Sequence, residues 1–237
     1  MNKQECVINP ERGRGEPTLP EIGLLAVNPT EAPVLAAYAK EAGMQRSFLF
    51  HSNLYYSDRL FLAGPAVGAP MAVMCLEKLI ALGAKKVILY GWCGSLQERL
   101  HALDVFLPTD ALSEEGTSRH YQDDQENTIS ASPKLHEQLG SILTAADMTY
   151  QTGKIWTTDA PYRETRAKIT EYANLGIYGV DMELSALCAV AAFRSIEVAA
   201  AMLVSDEVWR QPWQPQFSRK EFKRKSRKLL MLLCNTL

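Results

Sequence analysis

No run of apolar residues in this 237-residue chain approaches the roughly 18 needed to cross a bilayer, and the polar N-terminus does not read as a signal peptide. Neither sign of charge is in excess: 25 Lys and Arg oppose 27 Asp and Glu, leaving a net charge of -2 and a pI near 6.1. That balance excludes a general attraction to nucleic acid or to anionic membranes. The five cysteines (Cys6, Cys75, Cys93, Cys188, Cys234) are odd in number and are never spaced as CxxC. They argue against a disulfide frame or a zinc site and for reduced thiols in a cytoplasmic protein. The Gly-rich segment Gly91-Trp92-Cys93-Gly94-Ser95 matches neither a dinucleotide fingerprint nor a P-loop. What is present, 47% hydrophobic and 22% charged residues, suits one large α/β domain with a sizeable core.

Residues 1–20 mix Pro10, Pro17, Pro20, Gly13 and Gly15 with charges and offer little to bury. They are expected to form a mobile or loosely docked tail ahead of a single domain over 21–237. Strands are predicted at 22–27, 47–50, 60–63, 86–90, 105–107, 149–156, 177–180 and 198–204. Helices are predicted over 31–42, from Pro70 to about Gly83, and over 133–145, 162–173, 184–193 and 218–234. The alternation predicts a three-layer α/β/α domain, without internal repeat or linker. Residues 113–127 read as a polar loop. The last helix carries Arg219, Lys220, Lys223, Arg224, Lys225, Arg227 and Lys228, but Phe222, Leu229, Leu230 and Leu233 thread it at helical spacing. A docked amphipathic helix is expected there, not a nucleic-acid partner.

Two acids stand beside apolar runs, where a charge is costly unless paired or bound to a ligand. Glu183 ends Val180-Asp181-Met182-Glu183, where a strand gives way to a helix, and Asp206 ends the apolar strand at 198–204. Acids at strand ends line pockets in α/β sheets. Each also has a plainer reading: Glu183 as a charge on a helix N-terminus, Asp206 as a strand-end cap. Gly91-Trp92-Cys93-Gly94 is expected to be a turn, either cradling an anion with its N–H groups or simply reversing the chain.

Those segments, together with Gly64-Pro65-Ala66-Val67-Gly68 and Val204-Ser205-Asp206, occur in an order that resembles the purine nucleoside and uridine phosphorylase superfamily, which includes the methylthioadenosine/S-adenosylhomocysteine nucleosidases. Glu115-Gly116-Thr117-Ser118-Arg119-His120-Tyr121 and Thr157-Thr158-Asp159-Ala160-Pro161-Tyr162-Arg163-Glu164 resemble base-side segments of its uridine-phosphorylase-like branch. The resemblance runs from Ile22 to the C-terminus and implies a central mixed, twisted sheet. It implies cleavage of the N-glycosidic bond of a small nucleoside, with no metal or organic cofactor and with phosphate or water as co-substrate. Glu183 and Met182 are then expected to hold the ribose. Asp206 takes the position of the acid that serves N7 of a leaving purine, which tilts the expected base toward purine. Gly91, Trp92, Cys93 and Gly94 would form the phosphate or water side. Homodimers or hexamers are implied, with Arg46 crossing into a neighbouring subunit's site.

The chain also departs from that pattern. Where the family's phosphorylases carry an arginine in the first-strand loop, this chain has Glu31, in Val27-Asn28-Pro29-Thr30-Glu31; a second arginine position carries Leu89. Loss of both cations weakens phosphate binding. Glu31 aligns with the water-activating carboxylate of the nucleosidase branch, or else merely opens a helix. On Glu31 and Leu89 hydrolysis is marginally favoured. The alternatives are uridine-phosphorylase-like phosphorolysis and a non-catalytic nucleoside-binding protein. His120, Tyr162 and Arg163 are candidates for the base side, and surface residues otherwise. Cys93 has no paired His and is expected to pack. Trp209 and Trp213 suit a pocket flap, a subunit contact or an ordinary loop.

Overall fold

The apolar run Ile22–Ala26 forms strand β1 and is buried on both faces, so it needs hydrogen-bonded neighbours on both edges and a helical layer above and below. The computed structural model, which describes residues 6–122 and 127–237, supplies them. The strands are β1, β2 (Gln45–Leu49), β3 (Ser52–Tyr56), β4 (Phe61–Gly64), β5 (Lys86–Ser95), β6 (Val105–Ser113), β7 (Thr128–Ser130), β8 (Tyr150–Thr157), β9 (Ile177–Asp181) and β10 (Glu197–Glu207). The helices are α1 (Ala32–Glu41), α2 (Ala69–Ala81), α3 (Pro133–Ala145), α4 (Arg166–Asn174), α5 (Leu184–Arg194) and α6 (Lys220–Thr236). All strands belong to a single mixed sheet of 10 strands. Alternate residues serve opposite layers: Leu25 and Val27 pack in one core with α2 and α5, while Leu24 and Ala26 pack in the other with residues of α1, α3 and α6. This is the expected α/β/α arrangement.

Strand β5 organises the sheet. Its first half pairs in parallel with β1, from Ile22↔Lys86 to Ala26↔Tyr90. Its end pairs instead with β9 in the antiparallel sense, Gly94↔Val180 and Ser95↔Gly179. Along its other edge β10 runs parallel to it over its whole length. Because β10 also pairs with β6, β6 with β8 and β8 with β9, strands β5, β10, β6, β8 and β9 close into a ring. Strands β1, β4, β3 and β2 extend from β5 in that order, and β7 pairs with β6.

Several expectations change. Residues 91–95 are not a turn: they continue β5, because β10 pairs with them through Glu207↔Ser95 and holds them extended. The helix expected from 162 starts at Arg166. A short 3-10 turn, Pro161–Arg163, precedes it, and Thr165 sits in extended backbone as the cap, accepting from the Lys168 N–H at 3.4 Å. Strands β3 and β7 were not foreseen. Of the expected mobile or loosely docked tail, residues 6–9 are exposed, and its end docks on the domain: Leu19 is buried, its N–H donates to the Leu82 carbonyl at 2.8 Å, and Glu16 pairs with Lys78 at 2.6 Å. Residues 1–5 of that tail and 123–126 of the polar loop lie outside the described residues. Among the described residues no helix is long and apolar enough to cross a membrane.

Helix α6 docks as its pattern required, with Phe222, Leu229, Leu230 and Leu233 buried and its basic residues largely outward. Phe222 packs edge-on against Trp92, with ring centroids 4.8 Å apart. Phe222→Ala is expected to lower unfolding stability by about 3–5 kcal/mol in urea denaturation, because the cavity opens between a helix and the sheet and cannot collapse fully.

Candidate active site

A cavity of about 720 Å³ opens at the C-terminal ends of β1, β5, β9 and β10. It begins where β5 has left β1 for β9: Val27, Asn28 and Pro29 form one side of that gap, and Trp92, Cys93 and Gly94 the other. The β9–α5 junction adds Val180, Asp181, Met182 and Glu183, and the end of β10 adds Ser205 and Asp206. The rest comes from Val67 just before α2, from Pro161, Tyr162, Glu164, Arg166 and Ile169 around the start of α4, and from Val208, Trp213 and Phe217 after β10. Gly94 lies between the acid-bearing strands, its partners being Val180 and Asp206. A Cβ there would sit 3.1 Å from Val180 and 3.2 Å from Val208, so glycine keeps the walls this close.

Glu183 is the N-cap residue of α5, yet its carboxylate makes no capping bond. Asp181 does that work: its Oδ2 accepts from the N–H groups of Glu183 (3.1 Å) and Leu184 (2.7 Å), and its Oδ1 from Thr157 Oγ1 (2.6 Å). The Glu183 carboxylate is thereby free to reach across to α2, where the Gly68 N–H donates to Oε1 at 2.7 Å. Gly68 holds φ at 80°, in the left-handed region natural to glycine. Burial, and then the charge of Asp181, push the Glu183 carboxyl upward, and the Gly68 bond offsets only part of this. Asp181 is likewise raised by burial, against its hydrogen bonds from Thr157, Leu184 and Glu183.

Asp206 is buried, and its Oδ2 accepts from the Trp213 indole N–H at 2.8 Å. The Ser205 hydroxyl lies 2.6 Å from Oδ1 and 3.1 Å from the Cys93 carbonyl. Trp213 thus ties the chain after β10 over the cavity. Phe217 lies parallel to Trp92 with centroids 6.5 Å apart, and Gln211, with its amide turned to accept, takes Arg166 guanidinium bonds at 2.8 and 2.9 Å. The flap reading of Trp213 therefore fits its contacts.

Glu164, which the sequence did not single out for chemistry, is a lining residue with a perturbed carboxyl. Burial, and then the charge of Asp206, push it up to about 7. Its only advance signal was its place in the Thr157–Glu164 string; the neighbouring Tyr162 and Arg163 drew attention instead. Tyr162 is exposed at the mouth, while Arg163 and His120 are exposed and outside the lining. Arg46 projects from β2 and donates to Asn53 at 2.8 Å, away from this chain's cavity. Gly91 is buried behind the wall, where a Cβ would meet Val27 at 2.7 Å.

Glu31 is also outside the lining. Its Oε1 accepts from Ser226 Oγ of α6 at 2.6 Å, and Ser226 in turn accepts from the Trp92 indole at 3.1 Å and lies 2.6 Å from the Tyr90 hydroxyl. The helix–sheet contact draws this carboxylate away from the cavity and makes it part of the support behind Trp92. Glu115, expected on a base-side segment, is a clamp. Burial pushes it up, but bonds from Ser118, Thr117, Ser113 and Ser185 outweigh that and hold it below the usual range. Cys93 lines the cavity as a buried thiol pushed well up by burial, which suits packing, not nucleophilic attack. Among the described residues no group of three or more His, Cys, Asp or Glu is placed to hold a metal ion.

A three-layer α/β fold with a carboxylate-lined cavity at the strand ends defines the class. The chain belongs to the phosphorylase superfamily, whose family model matches residues 21–237. Among its relatives is the purine nucleoside phosphorylase DeoD-type 1 of Shewanella oneidensis, 28% identical over 170 residues that cover 71% of this chain and 72% of that one. The guanosine phosphorylase of Halorubrum lacusprofundi is 23% identical over 78% of this chain and 77% of its own length. Among solved structures, the purine nucleoside phosphorylase of Toxoplasma gondii in complex with immucillin-H superposes with a TM-score of 0.79 at 19% identity, covering 92% of this chain and 91% of that one. The AMP nucleosidase of Bacteroides thetaiotaomicron gives 0.69 at 22% identity, over 92% and 90%.

Burial raises the Glu31 carboxyl above its ordinary 4.5 against the opposing Ser226 bond. Its contribution to stability is therefore greatest below that value and is lost as pH rises through the raised one. Glu31→Gln keeps an acceptor for Ser226 and removes the charge. Its unfolding stability relative to the wild type, followed by denaturant titration across pH, should increase as pH rises.

Proposed function

We propose that the protein cleaves the N-glycosidic bond of a small nucleoside, with a purine favoured as the base. The observation that carries this is the convergence of Glu183 and Asp206 on one cavity from either side of β5. Breaking the bond to the base builds positive charge on the ribose. A buried carboxylate that holds the sugar hydroxyls orients the ring and stabilises that charge. Glu183, aimed by the Gly68 N–H and freed from capping by Asp181, suits that role, and Met182 beside it lines the sugar end. The departing base carries the electron pair and needs a donor. Asp206, Glu164, Tyr162 and Trp213 make the base end, and carboxyls there favour a purine, whose ring nitrogens and substituents offer hydrogen-bonding partners.

Water is marginally favoured as the nucleophile within one chain. The lining holds Asp181, Glu183, Glu164 and Asp206 but, of the Lys and Arg residues, only Arg166, and Leu89 is buried in the core. Such a wall opposes a phosphate dianion. Phosphorolysis is the second reading, supported by the phosphorylase relatives and by the exposed Arg46 on β2, which in a homodimer or hexamer would lend its charge to a neighbour's cavity. We infer a cytoplasmic setting from the free cysteines.

Release of free base from inosine, adenosine, guanosine, uridine and methylthioadenosine, with and without phosphate, tests the reading. Purine release that is equal without phosphate is the expected result; release that requires phosphate and yields ribose 1-phosphate would establish phosphorolysis. Nucleoside binding with no release would reduce the protein to a binding role. Glu183→Ala should lower kcat/KM by about 10²–10³-fold. Survival of most activity in that variant would remove Glu183 from the sugar.

A further inference from the structure

We propose that Trp92 decides which nucleophile reaches the sugar: its indole, tethered from behind by α6, fills the wall at the seam and leaves room there for water but not for a larger or charged attacker. This rests on the nucleoside-cleavage reading above. In that reading the sugar takes the β9–α5 junction, and the base takes the turn before α4 and the segment after β10. A group that displaces the base approaches the sugar from the opposite face, and so from the lining left over. That lining is the seam itself, where Val27, Asn28 and Pro29 face Trp92 and Cys93. No Lys or Arg stands in this part of the wall, and the Asn28 amide is neutral.

Trp92 is held on several sides. Its one polar atom, the indole N–H, donates to Ser226 Oγ at 3.1 Å, and the Ser226 hydroxyl donates in turn to Glu31 Oε1 at 2.6 Å. The Tyr90 hydroxyl, from the same face of β5, lies 2.6 Å from Ser226 Oγ and donates to the Ser226 carbonyl at 2.9 Å. Phe222 meets the ring edge-on, and Phe217 lies parallel to it. Tyr90, Ser226 and Glu31 are buried, so swinging the ring away would strip a hydrogen bond from a place without water. Because the N–H points backward, the ring offers the cavity no donor. A phosphate dianion against it would lose hydration without gaining a cation or an N–H, and the ring's π face repels negative charge. Water strands no charge there. Ser226 and Glu31 do not line the cavity; they act through Trp92 and are positioning residues.

The reaction at this wall balances. The bond from C1′ to the base nitrogen breaks and its electron pair leaves with the base. The water oxygen bonds to C1′, and one proton of the water ends on the base, giving ribose and free base. Methanol can replace water in the same step, giving the methyl riboside and the same free base. It is neutral and larger by one methyl group, so it measures room at the wall separately from charge.

The test is the ratio of methyl riboside to ribose formed in dilute methanol from the fastest-cleaved of the nucleosides above, divided by the molar ratio of methanol to water. The wild type should use methanol about 10–200-fold less readily than its share of the solvent, the usual worth of one methylene in a filled pocket. Trp92→Ala should recover about tenfold or more of that discrimination against methanol. Trp92→Leu keeps part of the packing against Phe222 and should shift the ratio the same way, which serves if the alanine variant does not fold. Ser226→Ala leaves the ring but removes its tether, and should also raise the ratio. The ratio is a partition within each turnover, so a variant that is merely less active or less stable keeps the wild-type value. A wild type that forms methyl riboside in proportion to methanol, or mainly ribose 1-phosphate when phosphate is added, would overturn the proposal and leave the cleavage reading intact. So would a wild-type ratio in the Trp92 variants; the same result in Ser226→Ala would overturn the tether. Release of no base from any of the nucleosides by the wild type would overturn the cleavage reading, and the role of Trp92 with it.

Discussion

Strand β5 has two edges and three partners, and the cavity follows from that mismatch. With β10 occupying one edge from end to end, β1 and β9 must divide the other, and neither pairs with Gly91, Trp92 or Cys93. A strand that changes partner leaves a seam in the sheet, and an open α/β sheet binds its ligands at such a seam. The residues on both sides then fall into place. β9 ends in Asp181 and leads directly to Glu183, while β10 carries Asp206 next to its last residue, across Gly94. The closed ring of strands makes this arrangement stiff, because moving one acid relative to the other would break the ladders that hold β9 to β5 and β8, or β10 to β5 and β6.

Within that frame, hydrogen-bond donors decide what each buried carboxyl can do. Asp181 spends its oxygens on the first N–H groups of α5 and on Thr157, and is structural. Glu115 is surrounded by hydroxyls and N–H groups and pins a loop to Ser185 of α5. Glu31 answers to Ser226 and joins α6 to the wall behind Trp92. Glu183 meets only backbone N–H groups, those of Gly68 and Met182, which leaves room for ligand hydroxyls. Glu164 has none. All are carboxyls withdrawn from water, Glu164 only in part; the count of donors differs among them, and with it the chemistry open to each group.

How far the sequence could be read follows from the range of the interactions involved. Glu183 and Asp206 were legible because each is a charge set into an apolar run, a local conflict that only a site or a partner resolves. The helix at 133–145 was legible to the residue, since Ser132 and Pro133 mark its start. Gly91 to Ser95 misled because glycines flanking Trp92 and Cys93 look like punctuation, whereas a parallel partner more than 100 residues away in the chain keeps them extended. Glu31 depended on Ser226, separated by 195 positions. Glu164 sits in a segment whose resemblance pointed to Tyr162 and Arg163; only the folded cavity draws it from water near Asp206.

The two ends of the cavity are built on different materials. What we assign to the sugar end stands on ladder-bonded strand termini and a helix start, whereas much of the base end hangs on two connections, the turn before α4 and the crossing segment after β10. Changes in such connections leave the sheet's own bonding untouched. A lineage carrying this fold can therefore exchange one base for another by drifting Tyr162, Glu164 or Trp213, at little risk to folding, while the means of gripping a ribose stays inherited. Diversification of substrate, on this architecture, is a matter of loops.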